Sequence, residues 1–330
     1  MSRSHTIAFA LSMACLAAAA GNRAYAQIAP ATLTQANADL QAGEADKAIA
    51  LLSSLPTSGP GADQAQNLLC RVRLTLQQWD AAVRACENAV RLNPQNSNNH
   101  LWLGRALGQK AGLASFLTAY SLGKRVRAEF EEAVRLDPRN AEALSDLGDF
   151  YKEAPGIVGG GMDKAESIAR RLDSLDPPRA AHLRAKMAEA RKDYGTAERE
   201  FKQAIAVSSR PASAWTNLGI FYRHRERWTD METAIHNCFN SAVRDKAPGV
   251  ALYDSAGVLV ETDRDPGFAA KMLETYLAGA SKTEEGPAFI AHIRLAHLRQ
   301  QFGDAAGADR EFAAAHAMAY EYNPAQDSRH

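Results

Sequence analysis

From Ala133 to Tyr151 the chain reads AVRLDPRNAEALSDLGDFY: one helical pattern of apolar residues ends, a turn intervenes at Asp137-Pro138, and a second helical pattern begins. Phe130, Ala133 and Pro138 close the first pattern, and Leu144, Leu147, Gly148 and Tyr151 carry the second. The same succession returns along the chain. Trp215, Leu218, Gly219 and Tyr222 repeat its opening, and Phe239, Ala242 and Pro248 repeat its close. A recurrence at about 34 residues means stacked helical hairpins, none of which can bury its apolar face alone. The chain is therefore expected to be all-α, with neighbouring hairpins covering one another.

Eight hairpins can be traced. The first joins Leu33 to Leu40 with Ala45 to Leu55, and the second, about 63–96, carries Leu69, Cys70, Ala82, Ala89 and Pro94 in register. The third, 97–140, exceeds the period by roughly ten residues; its extra segment GLASFLTAYSLGK is apolar enough to be helical, so lengthened paired helices are expected there. The fourth, 141–179, contains EAPGIVGGGM, where Pro155 and Gly159 to Gly161 forbid helix, followed by a helix expected from Asp163 with Glu166 completing a capping box. Ala185, Ala197, Phe201 and Ala204 mark the fifth hairpin, Gly257, Ala269 and Leu273 the seventh, and Leu295, Ala296, Ala308, Phe312 and Ala315 the eighth, ending near Tyr322. Small residues recur where paired helices must approach closely: Gly104, Gly148, Ala197, Gly219 and Ala308.

These slots resemble the W-x2-L-G-x2-Y, A-x3-F and P signature of the tetratricopeptide repeat (TPR) family. The resemblance implies a right-handed superhelical solenoid of about eight hairpins over residues 27–322, acting as a protein-protein interaction scaffold. HLWLGRALGQKAG and APGIVGGGMDKA further resemble a group of exported bacterial TPR proteins of undefined role. The family's inward-facing positions, carried over, mark Asn67, Arg71, Leu101, Arg105, Gln109, Ser145, Asp149, Lys152, His182, Lys186, Thr216 and Arg223; Trp102 stands beside Leu101 and is read as packed more than presented. Arg71 and Arg105, followed by the acidic Glu142 and Asp149, would make the groove positive near its start and mixed further on, the arginines suited to a carboxylate or phosphate of a ligand. The Lys-and-Asn clamp that chaperone-binding members use is not reproduced.

Residues 1–26 differ in kind. Arg3 precedes the apolar run TIAFALSMACLAAAA, and Ala24-Tyr25-Ala26 supplies the small residues of a cleavage site, so a secretory signal peptide ending at Ala26 and a periplasmic or secreted product are expected. Lipidation at Cys15 is not expected, because Ser12 stands where a Leu-like residue is wanted. No other run reaches the length of a membrane span. Basic and acidic residues balance at 38 each, which leaves no charge excess for nucleic acid. Beyond the leader, Cys70, Cys86 and Cys238 are expected as small buried side chains, with a Cys70–Cys86 disulfide as the alternative. After Tyr322 only NPAQDSRH follows, a flexible tail rather than a polar capping helix, so a partner or a second copy is expected to cover the last hairpin.

Catalytic chemistry finds little footing, and no cofactor or metal is expected. Met162 and Asp163 separate Gly161 from Lys164, against a phosphate loop, and no HExxH, CxxC or G-x-S-x-G occurs. The expectation is a non-enzymatic scaffold docking a peptide or protein segment in its concave groove. The alternative is a small-ligand binder or enzyme walled by the Gly159–Gly161 insert and the enlarged third hairpin.

Overall fold

The computed structural model describes residues 27–246 and 249–322. The expected leader with Cys15 and the expected tail lie outside those residues. Sixteen α-helices and no strand occur among the described residues, paired as eight consecutive hairpins. They are α1 (Pro30–Ala42) with α2 (Ala45–Ser53), α3 (Ala62–Thr75) with α4 (Trp79–Leu92), α5 (Ser97–Gly112) with α6 (Phe116–Leu136), and α7 (Ala141–Glu153) with α8 (Met162–Leu172). There follow α9 (Pro177–Ala190) with α10 (Tyr194–Val207), α11 (Ala212–His224) with α12 (Trp228–Arg244), α13 (Gly249–Glu261) with α14 (Pro266–Ala278), and α15 (Ala288–Gln301) with α16 (Ala305–Met318).

Local chemistry sets the helix starts. Asn140, Asp176, Asp193, Asp265 and Asp304 each accept a backbone N–H of the first turn that the helix itself leaves unpaired. Six of the turns between paired helices carry a left-handed residue, at Gly43, Gln77, Lys192, Glu226, Asp263 and Gly303, and the α13–α14 turn has a second at Asp265. The two enlarged hairpins depart from this. In the third, α5 and α6 are joined only by residues 113–115, so the extra segment is largely helical. In the fourth, a short 3-10 turn at Gly156–Val158 fills the insertion. The expected capping box there is not formed: α8 starts at Met162 behind Gly161, with no side chain capping it, and Asp163 lies within its first turn.

Small residues permit close crossing of the helices. A Cβ on Gly104 would stand 2.5 Å from the Phe130 ring, so α5 and α6 can meet there only without one. Ala197 and Ala308 are fully buried, and Gly148 and Gly219 are buried as well. Cys70 and Cys86, which face each other from α3 and α4 with Cα atoms 5.2 Å apart, are joined as a disulfide. This corrects the expectation of three independent buried thiols; Cys238 alone remains as a free, buried one among the described residues.

The last hairpin returns to the first. The Tyr322 hydroxyl accepts a hydrogen bond from Gln77 while its ring packs on Phe289 at 5.0 Å, Glu321 pairs with Arg73 at 2.6 Å, and the Tyr320 amide donates to Asp46 at 2.8 Å. Leu33, Leu40 and Leu52 of the first hairpin share one apolar core with Phe289, Ile293 and Tyr322. The open side expected at the C-terminal end is therefore covered by the chain's own beginning, and the argument for a second copy there loses its basis. Closure of this kind supplies by contact what a polar end helix supplies in an open array.

Candidate functional site

On the inner face, α3, α5 and α7 lie side by side, and residues 279–287, between α14 and α15, meet them from the far end of the chain. Together they line a cavity of about 690 Å3. Trp102 is among its lining residues. Arg71 and Arg105 lie over that ring, their Cζ atoms 5.0 and 4.4 Å from its centroid. Both guanidinium groups are also held by carboxylates. Arg71 Nε donates to Glu284 Oε2 at 2.9 Å and Arg71 Nη2 to Asn37 Oδ1 at 3.2 Å, while Arg105 Nε donates to Asp146 at 2.6 Å with Glu142 beyond at 3.8 Å.

Burial disfavours the charge on Arg105, yet Asp146 outweighs it, with Glu142 and Glu285 adding to the effect, and the guanidinium pKa lies above its ordinary value. Asp146 behaves in the opposite sense: burial first, with Asp149 and Glu142 beside it, holds its carboxyl above the ordinary carboxylate range despite the pull of Arg105. The lining therefore holds Arg71 and Arg105 against Asp146, Asp149, Glu153, Glu284 and Glu285. The groove expected to be positive at its start is acidic. Both arginines are already engaged by the protein's own carboxylates, which corrects the expectation that they wait for a ligand anion.

Of the expected inward residues, Arg71, Arg105, Gln109 and Asp149 come together here with Trp102, which was expected to be packed, and Lys186 adjoins them through a 2.6 Å ion pair with Asp149. Arg223 does not; it pairs with Glu261 elsewhere on the array. Leu101 is fully buried, Asn67 is buried with its amide on Asn99, and Thr216 is buried with its hydroxyl 2.9 Å from Ser255. Glu284 and Glu285 were missed because nothing in the repeat register links them to α3. Asp146 was within reach, since it precedes Asp149 by three residues on the same helix.

The glycine insert is a packed turn. Gly160 lies so close to the Ala154 carbonyl that no Cβ fits, and Lys164 Nζ donates to Gly159 O at 2.8 Å. Its lysine is spent on the loop's own backbone. Tyr151 stands nearby, donating to Glu131 at 2.9 Å, and its pKa is pushed up to about 12, first by burial and then by that carboxylate. No cluster of three or more metal-ligating side chains occurs among the described residues.

Eight successive hairpins, crossing at buried small residues on a common register, decide the architecture. The fold is an all-α array of eight stacked helical hairpins. No protein-family model matches the chain. Superkiller complex protein 3 of Mus musculus is 23% identical over 229 residues, which are 63% of this chain and 14% of that protein, so the array spans a small part of that relative's length. A thermophilic TPR protein of Thermus thermophilus has TM-score 0.49 and 17% identity, over 58% of this chain and 98% of its own. A tetratricopeptide repeat protein of Parabacteroides merdae has TM-score 0.45 and 12% identity, over 88% and 93%. MamA has TM-score 0.35 and 16% identity, over 52% and 94%. The hairpin-array architecture is fixed by the chain's own helices.

Proposed function

We propose that this TPR array is an exported interaction scaffold that docks a peptide or protein segment on its concave face, over Trp102 between α3, α5 and α7. Stacked helical hairpins present extended concave surfaces, and such arrays serve protein recognition. The observation that carries the reading is the 690 Å3 cavity on that face, where Trp79, Trp102 and Phe150 stand among carboxylates. Aromatic faces beside carboxylates suit a segment bearing a basic or aromatic side chain. The Cys70–Cys86 disulfide supports an oxidising compartment, and with it export through the N-terminal segment. The reading contains no catalytic step. Around the glycine insert, Lys164 and Tyr151 are committed to structural partners, which favours the scaffold over a pocket there.

A photo-crosslinking residue placed at Gln109, on the rim, tests docking in the organism that makes the protein. Adducts that form at Gln109, do not form at Lys192 on the α9–α10 turn, and vanish with Trp102→Ala are expected. Adducts unaffected by Trp102→Ala would place binding elsewhere. For export, the product should appear outside the cytoplasm with Gln27 at its N-terminus; a cytoplasmic chain retaining Met1 would refute it.

A further inference from the structure

The enlarged third hairpin ends in an apolar tip for which the concave groove has no use. Helix α6 has 21 residues where α4 has 14, an excess worth about 10 Å of helix. Its first buried side chain is Leu122, so Phe116 to Ser121 extend beyond the packed core. At the very end, Leu113, Phe116 and Leu117 are 63%, 76% and 79% exposed. Nowhere else among the described residues do three large apolar side chains stand exposed within five positions; the others are single. Isolated exposed apolar residues are ordinary, whereas a contiguous group at a projecting tip marks a contact surface.

The surroundings of the tip indicate what it contacts. From Gln109 to Ala128 the chain carries Lys110, Lys124, Arg125 and Arg127 and no carboxylate. Asp80 and Glu87 of α4 face two of these from the side, pairing with Lys110 at 2.6 Å and Arg125 at 2.7 Å, and Glu131 lies 3.7 Å from Arg127. Lys124 is the exception: its ammonium rests 4.4 Å above the Tyr120 ring and pairs with no carboxylate among the described residues. Lys110 and Arg125 remain well exposed despite their partners. A wedge of Leu and Phe ahead of a collar of exposed cations matches the boundary of an anionic bilayer, with acyl chains ahead and phosphates beside.

We propose that the α5–α6 tip is a peripheral membrane contact: Leu113, Phe116 and Leu117 enter the acyl boundary of an anionic phospholipid surface while Lys110, Lys124 and Arg125 meet its phosphates. The array is thereby held at a membrane with its concave face still open. No helix of the described residues is long and apolar enough to cross a bilayer, so the contact is interfacial.

Flotation of the chain from Gln27 onward with phosphatidylglycerol–phosphatidylcholine vesicles tests this. Binding at least tenfold stronger than to phosphatidylcholine alone is expected, falling with added salt. Phe116→Ser with Leu117→Ser should abolish it and Lys124→Glu should weaken it several-fold, while thermal unfolding of both variants stays at the parent temperature because these side chains are exposed. Absence of vesicle binding, or binding indifferent to the tip variants, overturns the proposal. So does tip-dependent dimerisation, or tip-dependent capture of a protein, without vesicle binding; either would reassign the surface to a protein partner.

Discussion

Arg71 on α3 and Glu284 between α14 and α15 form an ion pair across 213 residues of sequence, with side chains only 14% and 6% exposed. Gln41 adds two contacts to Glu284, donating from its amide nitrogen to the carboxylate and accepting from the Glu284 backbone N–H. The pair joins the last inter-hairpin connection to the inner face. Removing one partner of a buried pair strands the other charge, at a cost of about 3–5 kcal/mol. Glu284→Ala should lower the unfolding free energy by about that much, and Arg71→Met combined with Glu284→Leu by much less than the sum of the single changes. A double-mutant cycle read by urea denaturation checks it.

The Cys70–Cys86 disulfide closes a loop of 16 residues, which in the chain-entropy account stabilises the fold by about 3 kcal/mol. Dithiothreitol, or Cys70→Ala with Cys86→Ala, should shift the urea midpoint down by a corresponding amount. In the oxidised chain from Gln27 onward, a thiol reagent should find one thiol, Cys238, and only after unfolding, because that side chain is fully buried.

His182 on α9 has its Nδ1 buried without a partner and its ring against Phe201. Burial, aided by Lys186, lowers its pKa to about 4. The unfolded chain, at the ordinary value of 6.5, takes up this proton first as pH falls, so stability is intact above pH 6.5 and is lost as pH falls from there toward 4. The His182 share between pH 7 and pH 5 is about 2 kcal/mol. His182→Phe should flatten the pH dependence of the urea-derived stability by that amount; an unchanged slope would show that the imidazole is not kept neutral.

Gly160 and Gly156 stand four residues apart in one insertion, with opposite surroundings. A side chain at Gly160 meets the Ala154 carbonyl, whereas none of the chain lies within 4 Å of a Cβ at Gly156. Gly160→Ala should cost about 1–3 kcal/mol and Gly156→Ala close to nothing. Thermal unfolding of the two variants side by side makes the comparison.

Hairpin number, helix order and the small residues at helix crossings were legible in the sequence, because apolar periodicity and the Gly104-Phe130 kind of contact are local to one repeat. The inter-helix turns were harder to read. Gln77, Lys192 and Glu226 adopt a left-handed conformation that glycine would signal, and hairpin packing imposes it on residues with no such preference. The disulfide stood as one of two options until the two helices brought Cys70 and Cys86 within bonding distance.

The sequence by itself determined the repeat, and with it which helix carries Arg71, Trp102 and Arg105. Only the tertiary structure decided the sign of the groove and the fate of the ends. Glu284, Glu321 and Tyr322 reach α3 and its turn because eight hairpins curve far enough for the last to meet the first. That curvature is a sum of small rotations, one per hairpin, and no single repeat encodes it.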